Sequence, residues 1–130
     1  MRFLLDVNAL ISYGFRPHNR HAQVARWIRQ HATDQFLTCS ITELGFVRIL
    51  GQARTYGMDV TTARKLLGRL KASPDLPLAF ISDANDVSHL PAWANTPGRT
   101  TDGHLLELAK THGATLATLD QNIPGAYRIP

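Results

Sequence analysis

Four carboxylates stand where apolar runs end. Asp6 follows Phe3-Leu4-Leu5, Glu43 lies beyond Phe36-Leu37-Thr38, Asp102 opens a late helical stretch, and Asp120 closes the run Thr115–Leu119. The chain has only ten Asp and Glu and a net charge of +4, so four acids at such places call for an explanation. An acid at the end of a buried parallel strand points into the crevice where α/β sheets bind ligands. Four carboxylates gathered there would repel one another unless a cation sat among them.

Mg²⁺ (or Mn²⁺) suits such a cluster, because it takes hard oxygen ligands, keeps several waters and is completed by substrate phosphate. Two ions about 4 Å apart could serve the attacking and leaving oxygens of a phosphodiester hydrolysis. Spacing alone leaves open which acids touch metal and whether one ion binds or two. Each acid also has a plainer reading. Asp6 could cap the helix that follows it. Ser40-Ile41-Thr42-Glu43 matches a capping box, with Glu43 reaching back to the cap amide. Asp102 could answer the dipole of its own helix, and Asp120 could cap a terminal turn. The plain readings weaken when taken together, since all four acids fall at strand-to-helix crossovers, which in a parallel sheet share one edge.

Other chemistries have less support. His18-x-x-His21 has a metal-ligand spacing but no third ligand nearby, so no zinc site is expected. His104, two residues past Asp102, reads as a surface or packing residue, and Asp83 and Asp86 read as turn residues. Cys39 is the only cysteine, which excludes an internal disulfide and fits a small core residue. No Gly-rich nucleotide-binding loop and no nucleophile elbow is present.

The basic residues Arg48, Arg54, Arg64, Lys65, Arg69, Lys71 and Arg99 read either as a solvated face or as a track for a polyanion. Arg54 falls about 20° from the face of Glu43 and roughly 16 Å along, if one helix carries both.

The elements that must position these residues follow from periodicity. Strands are predicted at Phe3–Leu5, Gln35–Thr38, Leu78–Ile81 and Thr115–Leu119, with a final extended piece after Ile123-Pro124-Gly125. Helices are predicted from Asn8 to Gly14, Asn19 to Ala32, Ser40 to Tyr56, Thr61 to before Pro74, and Thr101 to His112. Ser82–Gly98 reads as a loop with a short helical turn around Val87–Trp93. Strands alternating with helices argue a three-layer α/β/α sandwich around a mostly parallel sheet. Its 130 residues read as one domain spanning 1–130. No apolar stretch approaches the length of a membrane span or a signal core, so a soluble, cytoplasmic protein is expected.

Leu4-Leu5-Asp6-Val7-Asn8-Ala9-Leu10, Ile41-Thr42-Glu43, Thr101-Asp102-Gly103-His104-Leu105-Leu106-Glu107-Leu108-Ala109 and Ala117-Thr118-Leu119-Asp120 together resemble a PIN-domain ribonuclease. The likeness is greatest to VapC-type toxins of bacterial toxin–antitoxin pairs, and it runs from near Arg2 to Asn122. The resemblance implies that Asp6, Glu43, Asp102 and Asp120 are the acidic quartet, with Asn8 and Thr118 beside them as positioning residues. It implies an Mg²⁺- or Mn²⁺-dependent endoribonuclease, a homodimer, and inhibition by a cognate antitoxin protein. Arg48, Arg54, Arg64, Lys65 and Arg99 become the candidate RNA contacts. The Ser82–Gly98 stretch, with two prolines and Trp93, departs from the family pattern. The rival readings are a related nuclease acting on DNA or in housekeeping RNA processing, and a catalytically silent domain that only binds RNA or protein.

Overall fold

The structure, a computed structural model, describes residues 1–130. Five strands form one parallel sheet in the order β3-β2-β1-β4-β5: β1 (Arg2–Leu5), β2 (Gln35–Thr38), β3 (Leu78–Phe80), β4 (Thr115–Thr118) and β5 (Tyr127–Arg128). The chain starts on the central strand, steps outward through β2 to β3, then crosses back to β4 on the other side. The order therefore reverses between β1 and β4, and ligands of open α/β sheets bind at such a reversal.

Alternation along the strands sorts the core into two layers. Phe3, Leu5 and Phe36 turn to the face covered by α1 (Val7–Gly14), α2 (His21–Gln30), α3 (Ser40–Gln52) and α4 (Val60–Ala72). Leu4, Leu37 and Leu116 turn to the face covered by α5 (Thr100–Thr111). The predicted three-layer α/β/α arrangement is thus observed, with four helices on one side and one on the other. On the crowded side, Trp27 of α2 packs against Phe3 and Phe36 and donates its indole N–H to Tyr127 Oη at 3.2 Å. This fastens α2 to the last strand.

Two helices differ from their predicted bounds by two residues or more. The helix begun at Ser40 stops at Gln52 rather than Tyr56, because Ala53 turns extended (φ −83°, ψ 123°) and Arg54–Tyr56 form a separate 3₁₀ turn. Gly51 lies against the start of α4, where a Cβ would meet Val60 Cγ2 at 2.8 Å. Arg54 is consequently not on the helix of Glu43, and the helical relation between them does not hold. The helix predicted from Asn19 to Ala32 spans His21–Gln30. α5 ends as its glycine suggests. Gly113 is left-handed (φ 65°), its N–H bonds the Lys110 carbonyl, and the Ala114 N–H bonds the Ala109 carbonyl at 2.8 Å.

The Ser82–Gly98 segment is a tethered loop with two 3₁₀ turns, Val87–His89 and Pro97–Arg99. It is sewn to α5 at several points. His104 pairs with Asp83, His112 Nε2 bonds the Ser82 carbonyl at 2.8 Å, and Asn85 donates to Thr111 at 3.1 Å. Trp93 packs into the α5-side core. No helix is long and apolar enough to cross a membrane.

Candidate active site

Asp6 sits one residue past β1, and its backbone N–H still donates to the Ala117 carbonyl of β4 at 2.9 Å. It is 7% exposed. It does cap α1: Oδ1 accepts from the Val7 amide at 2.7 Å. Its other oxygen, Oδ2, accepts the Thr118 hydroxyl at 2.8 Å. Capping therefore uses one oxygen, and lone pairs on both remain to face the cavity.

Thr118 closes a network that fixes the whole β1–β4 tip. With its one proton given to Asp6, Oγ1 accepts from Asn8 Nδ2 at 3.1 Å and from the Asp120 amide at 3.0 Å. Asn8 Oδ1 in turn accepts the Leu119 amide at 3.1 Å. Asn8 and Thr118 thus orient Asp6 and lock the backbone carrying Asp120. Asp120 Oδ1 accepts the Asn122 amide at 2.8 Å, the terminal turn foreseen for it. Asp102 lies in the first turn of α5, placed there by Gly103, whose missing side chain lets α5 approach Ala94 and Pro91.

Asp6, Asp102 and Asp120 line one open cavity of about 510 Å³ at the sheet reversal, together with Asn8 and the apolar Val7, Ile11, Ile49 and Leu119. Burial holds the Asp6 carboxyl above its ordinary pKa. The charges of Asp102 and Asp120 push the same way, against the bonds from Thr118 and Val7. Asp102 is also raised, by burial first and then by Asp120, with Arg99 opposing. Three oxygen donors that repel one another are the donor set of a hard divalent cation. No three His, Cys, Asp or Glu side chains converge closely enough to grip one ion directly.

Glu43 is not brought into this cavity. Its carboxylate binds Lys71 Nζ at 2.8 and 3.0 Å and accepts the Thr38 hydroxyl at 2.6 Å. The capping-box reading of Glu43 is corrected as well. The cap is Cys39, and Thr42 Oγ1, not Glu43, accepts the cap amide at 3.0 Å. The physical reason is position: Glu43 follows β2, one strand away from the β1–β4 reversal, and faces α4.

Of the predicted basic residues, only Arg99 acts on the cavity, through the charge it sets against Asp102. Arg48, Arg54, Arg64 and Lys65 are exposed on α3, α4 and the turn between them. Arg99 lies 5.0 Å over the Trp93 ring. The cavity's own cation is Arg20, which sequence reasoning passed over, beside His18 and Tyr56. A signal was available. Asn8 and Ser12, four residues apart, share one polar side of α1, so the loop following α1 was a candidate to finish that wall.

An all-parallel sheet with three aspartates gathered at its reversal defines an α/β protein with an acidic cavity at the edge where such sheets bind ligands. Residues 3–129 match the family model described as PIN domain, and the chain belongs to the PIN-domain family. Ribonuclease VapC38 of Mycobacterium tuberculosis is 32% identical over 127 residues, spanning 92% of this chain and 86% of that protein. Ribonuclease VapC29 of the same organism is 34% identical over 127 residues, spanning 95% and 89%. The crystal structure of VapBC2 from Rickettsia felis, bound to a DNA fragment from their promoter, matches with a TM-score of 0.68 at 15% identity. The match covers 98% of this chain and 97% of that one. At that identity the likeness speaks for the fold.

Proposed function

We propose that this chain is a metal-dependent endoribonuclease acting as the toxin of a toxin–antitoxin pair. The observation that carries the reading is the convergence of Asp6, Asp102 and Asp120 in one cavity at the β1–β4 reversal, in a chain about one-third identical to VapC ribonucleases. Asp6, Asp102 and Asp120 would hold Mg²⁺ or Mn²⁺ with waters completing its shell, and Glu43 would join them only on release from Lys71. A cation bound there supplies Lewis-acid polarisation of a phosphate oxygen and lowers the pKa of water.

The chain's own residues do the rest. Thr118 and Val7 fix the two oxygens of Asp6, so its geometry is set before substrate arrives. Asn8, by gripping Oγ1 of Thr118 and the Leu119 amide, keeps that hydroxyl donating to Asp6. Asp120, one oxygen engaged by Asn122, keeps the other available to orient a water. The products expected are a 5′-phosphate and a 3′-hydroxyl: a water oxygen bonds to phosphorus as the P–O3′ bond breaks, and O3′ takes up a proton that the water gives.

The cognate antitoxin and a second copy of the chain are the proposed protein partners. Leu44 (69% exposed) and Val60 (49%) offer apolar surface on α3 and α4. The test compares wild type with Asp6→Asn on total cellular RNA, with and without Mg²⁺ or Mn²⁺. Discrete metal-dependent fragments lost in the variant support the reading. RNA bound equally by both proteins and cut by neither turns it into a binding module.

A further inference from the structure

Arg20 is the only Lys or Arg lining the aspartate cavity, yet it forms no salt bridge with any acid. Its Nε instead donates to Gln23 Oε1 at 3.1 Å, and Gln23 Nε2 donates to the Ile129 carbonyl at 3.2 Å. The guanidinium is thus held through a neutral relay from the end of the sheet, and its charge stays uncompensated. Arg20 thus shares a cavity with three aspartates and pairs with none of them, which leaves its guanidinium to meet an anion from outside.

The neighbouring histidine is prepared in the same sense. The Arg20 backbone N–H donates to His18 Nδ1 at 3.0 Å. An amide can only donate, so Nδ1 accepts, and the ring proton belongs on Nε2. Burial, then the charges of Arg20 and His21, hold the His18 imidazole below its ordinary pKa, so the ring is neutral at pH 7. His21 has a different task, its Nδ1 bonding the Ser12 carbonyl at 3.0 Å. The two histidines therefore do not act as a pair. The cavity has one side of acceptors (Asp6, Asp102, Asp120) and, in the loop leading to α2, donors in Arg20 and His18.

A phosphodiester needs both sides: cations for the oxygens at the aspartates, and fixed donors for a neighbouring phosphate. We propose that Arg20 and His18 bind a backbone phosphate of the RNA adjacent to the one cut, Arg20 through its guanidinium and His18 through Nε2–H. The proposal rests on the nuclease reading for its ligand, but not for its test.

A short single-stranded RNA is titrated by fluorescence anisotropy in EDTA, where no metal-dependent cleavage occurs, at a series of salt concentrations. Wild type, Arg20→Gln, Arg20→Lys and His18→Ala are compared, with thermal melts to establish folding and cleavage under Mn²⁺ in parallel. Arg20→Gln is expected to weaken binding about tenfold and to reduce the salt slope by about 0.7, the loss of one phosphate contact on a single strand. Arg20→Lys keeps the slope while binding less tightly. His18→Ala weakens binding severalfold and leaves the slope unchanged, since a neutral donor releases no counterion. Binding and slope unchanged in Arg20→Gln would overturn the proposal, as would a slope lost in Arg20→Lys. Should wild type fail to cut RNA while the slope still drops in Arg20→Gln, the nuclease reading falls and the phosphate contact stands.

Discussion

Lys71 Nζ grips both oxygens of Glu43, at 2.8 and 3.0 Å, across the gap between α4 and α3. The pair is half-buried, with side chains 34% and 19% exposed. Lys71 also lies 5.4 Å over the Phe80 ring, which holds the ammonium against β3. The fourth acid of the proposed quartet is therefore already neutralised, whereas the three aspartates are not. A cation recruiting Glu43 has to displace Lys71, and the pair opposes it by about 1 kcal/mol. Lys71→Met should accordingly tighten Mn²⁺ binding about fivefold, the equivalent of that energy. Adding Glu43→Gln should cancel the gain. Isothermal titration of the three proteins decides the point. Equal affinity in wild type and Lys71→Met would mean that Glu43 stays outside the metal site.

Thr118 carries three hydrogen bonds on one oxygen at a fully buried position. Thr118→Val preserves shape but strands the Asn8 amide and the Asp120 N–H and removes the donor to Asp6. A cost of about 2 kcal/mol is expected, since unsatisfied buried groups cost more than the net value of the bonds they lose. Thr118→Ser keeps the hydroxyl and should lose less than about 1 kcal/mol, mostly from the missing methyl. Urea unfolding of the two variants measures the difference. Equal losses would show that the hydroxyl matters no more than the methyl here.

Much of this was legible in the sequence because burial on both faces leaves a plain mark. Phe3-Leu4-Leu5 and Leu116-Ala117-Thr118 could only be inner strands, so Asp6 and Asp120 had to emerge at the same edge. The fate of Glu43 was not legible, because it depends on Lys71, 28 residues away on another helix. Arg20 was missed for a related reason. The aspartates that share its cavity are distant in sequence, and its place at the start of a predicted helix said nothing of them. The early end of α3 lies at Ala53, whose extended backbone local propensity does not foretell.

Acidity should stabilise the metal-free protein through Asp6 and Asp102. Both have native pKa values above the ordinary 3.8, by burial first and then by neighbouring aspartates. Their contribution is fully present below 3.8 and is lost as pH rises through the raised native values. Asp59, Asp83 and Asp86 are shifted downward, and their contribution runs oppositely, present above 3.8 and lost as pH falls. Comparing wild type with Asp102→Asn cancels those three. Between about pH 4 and about pH 7, wild type should lose more Tm than Asp102→Asn in EDTA, and Mn²⁺ should shrink the gap. Parallel melting curves in both proteins would show that Asp102 carries no raised pKa.

Gly103 allows Asp102 to reach the cavity. A Cβ there would lie 2.6 Å from Ala94 Cβ and 3.0 Å from Pro91 Cδ, so Gly103→Ala must push α5 away from the tethered loop. Overpacking of this kind costs about 1–3 kcal/mol. The displacement also draws Asp102, in the same turn, off its position, so Mn²⁺ affinity should fall more than tenfold, a few kcal/mol of lost pre-organisation. Ala94→Gly removes the nearest obstructing carbon. Combined with Gly103→Ala, it should restore most of the metal affinity and part of the stability, with a coupling energy of about 1 kcal/mol, the signature of residues in contact. Additive losses in the double variant would locate the damage in the helix itself. The loop's hold on α5 would then not be what positions Asp102.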